Sequence, residues 1–370
     1  MRSKYRMWLT GFFLPASSLL LLLPTSALAQ PIMWYVNGVN GNDSNNCQTA
    51  ETACKTIGHA ISLALSGDSI VVAAATYTEN LTIGISLTIV GSGASTTIID
   101  GKAAGTVITI PNSWDQVTLS NVTIRNGSAS LGAGIYNASR LTINSSTISG
   151  NRAWHGGGIA NHYGTVTINN STISGNSAGC SGLFCAGFGG GIYSGGTLTI
   201  NNSTLSNNVA FGGRFSRPYG GGIFNFDTNP IPLTISSSTI SGNSPGGVWS
   251  ISVSPAAVLQ NNIVANNQVA NCSGGVASHG YNLSSDNTCN FNSPGDLNSH
   301  DPLLGPLQNN GGPTQTMALL PGSPANDGGN PAGCTDGKGH LLTSDQRGMP
   351  RPDKEDASGC DIGAFESQTD

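Results

Sequence analysis

Gly156-Gly157-Gly158-Ile159, Val166-Thr167-Ile168, Ser171-Thr172-Ile173-Ser174-Gly175-Asn176: this 21-residue phrase decides the fold, because the chain repeats it. Before it stand Gly132-Ala-Gly-Ile135, Leu141-Thr-Ile143 and Ser146-Thr-Ile-Ser-Gly-Asn151; after it come Gly189-Gly-Gly-Ile192, Leu198-Thr-Ile200 and a closure at Asn208. A further copy has Gly220-Gly-Gly-Ile223, Leu233-Thr-Ile235 and Asn243, and a worn fifth has Gly246-Gly-Val248, Ala257-Val-Leu259 and Asn267. Equivalent positions Ile143, Ile168, Ile200, Ile235 and Leu259 are separated by 25, 32, 35 and 24 residues, so a unit near 24 residues carries inserts of variable length.

Within each unit apolar residues alternate with Thr, Ser or Asn, the two-residue period of a strand. Each unit therefore holds about three short strands separated by Gly and Asn turns, and none can bury its apolar face alone. Coiled into a solenoid, each strand pairs in parallel with its counterpart one turn later, about 4.8 Å away, and the inward Ile and Leu residues stack into one core. Parallel crossovers are right-handed, so the expected fold is all-β: a right-handed parallel β-helix with three short strands per turn. Asn151, Asn176, Asn208, Asn243 and Asn267 are expected to adopt left-handed turns and to stack as a hydrogen-bonded ladder.

Outward from the repeats, residues 1–29 read as a secretion signal. Arg2, Lys4 and Arg6 form its basic start, residues 8–23 its apolar stretch and Ala27-Leu-Ala29 its cleavage site. Its removal leaves 11 basic against 19 acidic residues, a net charge near −8 that suits neither nucleic acid nor anionic membranes, and no membrane insertion is expected afterwards. Residues 30–69 form an amino-terminal cap: Ile57, Ala60, Ile61, Ala64 and Leu65 recur at helical spacing between Cys54 and Ser66, marking a short helix over the open end of the solenoid. The solenoid itself is expected over 70–295, with early rungs such as Leu87-Thr-Ile89 and Val117-Thr-Leu119, and a carboxy-terminal cap over 296–370.

The eight cysteines fall into sequence neighbours: Cys47 with Cys54, Cys180 with Cys185, Cys272 with Cys289, and Cys334 with Cys360. An exported chain favours four local disulfides of this kind, although other pairings are open in principle. Without a Cys-x-x-Cys and without neighbouring histidines, a zinc site is not expected, and no metal or cofactor is assigned.

Three stretches resemble known families. Gly67-Asp-Ser-Ile-Val-Val72, Thr76-Tyr-Thr-Glu-Asn80 and Leu87-Thr-Ile-Val-Gly91 look like the opening rungs of the pectin-lyase-like superfamily, which includes pectate lyases and pectin methylesterases. The glycine-run repeats are similar to polymorphic outer-membrane protein repeats, which implies a surface-exposed passenger. Asp301-Pro-Leu-Leu-Gly-Pro-Leu307, Asn310-Gly-Gly-Pro-Thr314, Leu320-Pro-Gly-Ser-Pro-Ala325, Asp345-Gln-Arg-Gly348, Arg351-Pro352 and Cys360-Asp-Ile-Gly-Ala-Phe-Glu366 resemble the choice-of-anchor Q domain of secreted bacterial β-helix proteins. That resemblance implies export and a cell-surface role and brings no reaction with it. Members often continue into a sorting tail, and none is expected in the four residues past Glu366.

For chemistry the inventory is sparse. From Lys102 to Pro294 the acidic residues are Asp115, Asp227 and Asp286 only, and no lysine occurs between Lys102 and Lys338. A polysaccharide lyase or hydrolase of this fold would need clustered carboxylates. Catalytic residues are therefore not assigned, and a polysaccharide-active enzyme is the alternative to a non-catalytic binding module. Binding is expected on the inserts between a closing Asn and the next glycine run, which should emerge at one corner of successive rungs. The candidate ligand-binding residues are Trp154, His155, His162, Tyr163, Phe188, Arg214, Arg217 and Tyr219, aromatic planes and arginines that suit a polysaccharide or a surface protein. Phe184, Phe211 and Phe215 lie on the same inserts. Asp336, Asp345, Asp353, Glu355, Asp356 and Asp361 concentrate near the carboxy terminus, where a structural calcium ion competes with a solvated acidic face.

Overall fold

The computed structural model describes residues 30–180, 182–226, 233–251, 257–353 and 359–368; the secretion signal at 1–29 lies outside the described residues. The repeated apolar positions are in register. Ile143 pairs with Ile168, Ile168 with Ile200, Ile200 with Ile235 and Ile235 with Leu259, in parallel strands that form the right-handed β-helix read from the repeats. Among the described residues, sheet A has ten strands from Met33–Val36 to Val276–Ser278, sheet B ten from Ala75–Thr78 to Leu297–Asn298, and sheet C eight from Leu81–Thr82 to Cys272–Gly274. One coil runs through sheet C at Ile135–Asn137, sheet A at Arg140–Asn144 and sheet B at Thr147–Ser149.

Burial explains why the coils exist only as a stack. Ile135, Leu141, Ile143 and Ile148 are the large buried aliphatic residues of that coil, worth about 1.5–3 kcal/mol each. Ordering a coil of some 24 residues costs about 1–2 kcal/mol per residue in backbone entropy alone. The deficit closes only when each strand also hydrogen-bonds to the coils on both sides, and the inward residues merge into one cluster from Trp34 to Phe291.

The asparagine ladder forms, but its backbone is not left-handed. The Asn151 amide donates to Asn176 Oδ1, Asn176 to Asn208, Asn208 to Asn243 and Asn243 to Asn267, at 3.0, 3.0, 3.0 and 2.9 Å. The left-handed residue is the one before each asparagine: Gly150, Gly175, Asn207, Gly242 and Asn266. Giving the turn to that neighbour leaves each ladder asparagine free to point its amide inward, where those from Asn151 to Asn243 are buried.

At the amino-terminal end the helix spans Ile57–Leu63. The Thr56 hydroxyl accepts from the His59 N–H, and the Glu79 carboxylate accepts from Ile57 N and Gly58 N at 2.9 and 2.8 Å. Ile57, Ala60 and Ala64 are buried, while Leu65 is exposed because the chain turns extended at Ala64 and carries Leu65 off the helical face. All four sequence-neighbour disulfides are present, among them Cys334–Cys360 in the carboxy-terminal segment.

That carboxy-terminal segment runs back along the flank as a strap over the outer face of sheet B. Leu319, Ala325, Ile362 and Phe365 pack on Ile263, Ala265 and Leu283, where the outward positions of sheet B turn apolar. Further back those positions are hydroxyls: Thr204 Oγ1 donates to Gln346 Oε1 at 2.6 Å, Gln346 Nε2 donates to Thr172 Oγ1 at 2.9 Å, and Ala364 N to Thr239 Oγ1 at 3.1 Å. A buried ion pair, Arg351 Nε to Glu366 Oε2 at 2.6 Å, joins two of the motif positions, and Arg351 Nη1 reaches Asn202 at 3.2 Å.

Candidate functional site

The variable inserts do emerge at one corner, between sheets B and C. There Arg152–Ala153, Ser177–Ala178 and Val209–Ala210 form a further three-stranded parallel sheet, and the Cys180–Cys185 disulfide closes the second insert. The glycine run that follows opens with a left-handed residue; at Gly189, φ is 65° and a Cβ would stand 2.2 Å from the Ile192 carbonyl oxygen, so only glycine fits. This tight turn puts the preceding residue of each coil in line, so that Leu131, His155, Phe188 and Tyr219 are joined by successive parallel bridges.

Two aromatic columns result. His155 stacks on Phe188 with ring centroids 5.1 Å apart, and Phe188 on Tyr219 at 5.8 Å and 4°. The second column lies in sheet C, where Tyr136, Ala160, Tyr193, Phe224 and Trp249 share one outward register position; Tyr193 and Phe224 stack at 5.8 Å and 6°. Contacts between columns close the belt: His155 to Tyr193 at 5.4 Å, Phe188 to Phe224 at 4.9 Å and Tyr219 to Trp249 at 4.3 Å. Each such pair is worth about 0.5–1.5 kcal/mol beyond its burial. Rings stacked along the solenoid axis spend their faces on one another. The belt therefore staples the glycine corner.

His155 illustrates the consequence. It is half-buried between Phe188 and Tyr193, burial lowers its pKa, and its Nδ1 is buried without a partner. Burial thus favours the neutral imidazole, which serves here as a flat ring in the stack.

The eight predicted residues thus divide. His155, Phe188 and Tyr219 belong to the belt, and His162 and Tyr163 extend it, with His162 stacked on Tyr136 at 5.9 Å and meeting Tyr163 edge-on at 4.6 Å. Trp154, Arg214 and Arg217 stand on the outer rim. Trp154 is 56% exposed beside a cleft of about 160 Å³ lined by Ser128, Arg152, Gly179 and Cys180, and the Arg214 guanidinium lies over Phe215 at 5.7 Å. Phe184 stacks on Phe215 at 5.5 Å, with 81% and 61% exposure. Sequence reading passed over Tyr136, Tyr193, Phe224 and Trp249, although a signal was there: each follows the inward Ile or Val of its glycine run by one residue, which in a strand means outward.

Carboxylates do not gather at this corner. Asp115 sits at the turn from sheet C into sheet A, where its backbone oxygen accepts from Arg140 N, and Asp286 is occupied by Thr288, Asn271 and Ser284. Asp227, Glu355 and Asp356 lie outside the described residues. In the strap, Asp345 accepts from Arg347 Nε at 2.7 Å and from three backbone N–H groups, and Asp336 accepts from the backbone of Lys338 and His340. Among the described residues no helix is long and apolar enough to cross a membrane.

No family model and no curated protein matches the sequence. Among solved structures the chain is similar to pectate lyase Pel9A, at 14% identity over 92% of this chain and 98% of that one, with a TM-score of 0.53. It is also similar to the pectin methylesterase from Aspergillus niger, at 15% identity over 74% and 86% of the two chains, with a TM-score of 0.41. At this identity the likeness to the pectate lyase establishes a pectin-lyase-like parallel β-helix fold.

Proposed function

We propose that the protein is an exported, cell-surface β-solenoid without catalytic activity, a binding module of adhesin type whose ligand is a polysaccharide or a surface protein. The observation that carries this reading is the rim of the insert corner. Trp154, Phe184 and Phe215 expose their rings there beside Arg152, Arg214 and Arg217, and the sequence has no acidic residue between Gln116 and Phe226. Exposed aromatic planes with arginines suit binding, while acid–base cleavage of a glycosidic bond needs two placed carboxylates. Four disulfides support an oxidising compartment. The choice-of-anchor Q resemblance, whose motif residues hold the strap to sheet B, supports a surface location.

The second reading is a polysaccharide-active enzyme, favoured by the likeness of the fold to a pectate lyase. A glycan array with the purified chain, with and without calcium, followed by mass analysis of any bound polysaccharide, separates the two. Binding that leaves the polymer intact and weakens in Trp154→Ala and Phe184→Ala supports the module. Shortened or unsaturated products would replace it with the enzyme.

A further inference from the structure

A second surface lies away from the insert corner, on the outer face of sheet A. Its strands are in register, so their outward residues form rows along the axis. Thr118, Thr142, Thr167 and Thr199 make one row, and Ser120, Asn144, Asn169 and Asn201 the next. The second row is tied end to end: Asn201 donates to Asn169 at 3.0 Å, Asn169 to Asn144 at 2.9 Å and Asn144 to Ser120 at 3.3 Å. Each amide keeps one N–H for a partner outside the row. The four threonine hydroxyls have no hydrogen-bond partner among the described residues, so hydroxyls and methyl groups alternate with free amide donors over a flat face.

The chain itself reveals what this face accepts. At its far end the strap lays Gly337 on the rows: its N–H donates to Asn201 Oδ1 at 2.7 Å, and a Cβ there would meet the methyl groups of Thr199 and Thr234 at 3.0 and 2.9 Å. A thin stretch of backbone, flanked by the charged side chains of Asp336 and Lys338, thus already puts a Cα on the threonines and a donor on an asparagine at one end. Toward the amino terminus the rows continue uncovered past Asn169 and Asn144.

Along one edge of that open stretch stand the aromatic residues Trp114, 83% exposed, and Tyr163, 69% exposed. Each lies two residues before its sheet A strand, and those strands stand two coils apart, because Gln116, Arg140 and Thr165 pair in register. The intervening coil has Ala138 at that position. The strands that follow the two rings are thus two coils apart, about 9.6 Å at 4.8 Å per coil, which is close to the length of an extended disaccharide unit. A ring so exposed on a polar surface marks a contact rather than a core.

We infer that the outer face of sheet A is a track for a neutral, ribbon-like β-1,4-linked polysaccharide, laid along the axis with alternate sugars on Trp114 and Tyr163 and its hydroxyls on the Asn144 and Asn169 row. The neutral class follows from the rows themselves, whose Thr, Ser and Asn side chains carry no charge, and from the net charge of −5, which disfavours polyanions. This track shares Tyr163 with the end of the aromatic belt and none of the exposed residues of the insert-corner rim.

Affinity gel electrophoresis of the full chain in hydroxyethyl cellulose, xylan and polygalacturonate tests it. At least one neutral polymer is expected to retard the chain, with affinity falling about tenfold in Trp114→Ala and in Tyr163→Ala, and lost in Thr142→Tyr, which plants a ring across the row. Unchanged melting temperatures keep these exposed variants interpretable. Retardation by polygalacturonate alone, by none of the three, or equally in Trp114→Ala and the parent chain overturns the track. Binding that instead depends on Trp154 and Phe184 but not on Trp114 and Tyr163 overturns it and leaves the insert-corner reading standing.

Discussion

Replacing Asn208 by alanine removes the centre of the buried ladder. Its Oδ1 accepts from both the backbone N–H and the side-chain amide of Asn176, at 3.1 and 3.0 Å, and its amide donates to Ile173 O and Asn243 Oδ1. In Asn208→Ala the Asn243 oxygen keeps the Asn208 backbone N–H, and the Asn176 amide keeps Ile148 O. Two donors on Asn176 are then left with no acceptor in a site closed to water. At about 1–3 kcal/mol for each orphaned buried group, the expected loss is about 2–6 kcal/mol. A smaller loss is expected in Asn267→Ala, since that residue is half-buried and water reaches what its removal leaves. Urea unfolding followed by circular dichroism measures both, with equal m-values required for comparison. A loss below about 1 kcal/mol for Asn208→Ala, or no difference between the two sites, would refute the view that ladder amides are internal partners for the turn backbone.

Glycine substitutions should separate geometry from crowding. Gly175 and Gly189 are both left-handed, but a Cβ at Gly175 meets nothing within 4 Å, so Gly175→Ala should cost about 1 kcal/mol and Gly189→Ala, against a carbonyl, clearly more in thermal melts. Gln346→Ala should loosen the strap and leave the coils intact, read as new proteolytic cuts confined to residues beyond 300; equal resistance of variant and parent would show the strap is held elsewhere. Burial pushes the Glu366 carboxyl up from 4.5 to about 7, with Arg351 opposing and Asp361 adding to the rise. Because this folded pKa is raised, its stabilising contribution is complete below about pH 4.5 and is lost as the pH climbs through about 7, on the order of 3 kcal/mol at most. Melting curves from pH 4.5 to 8 should lose that slope in Glu366→Gln, and an identical slope in both proteins would show that another group governs it.

Much of the fold was legible because a solenoid is nearly one-dimensional. Residues pair with the copies of themselves one turn away, so aligning Ile143, Ile168, Ile200, Ile235 and Leu259 in the sequence already aligned them in space. The disulfides were readable for a similar reason, since each joins neighbours in the chain. The outward positions change from Thr239 and Ser241 to Ile263 and Ala265 in the next coil, and there Leu319, Ile362 and Phe365 cover sheet B.

What needed the tertiary structure was the orientation of side chains at corners, where the two-residue period breaks and turn geometry takes over. The sequence placed His155, Phe188 and Tyr219 on one loop corner; that their ring faces are spent on each other and on Tyr193, Phe224 and Trp249 depends on the left-handed glycine before each strand. Likewise Trp114 and Tyr163 are 49 residues apart and unremarkable as a pair. They become neighbours on one edge because the strands that follow them are two coils apart in register, a distance fixed by backbone pairing between strands and not by separation along the chain.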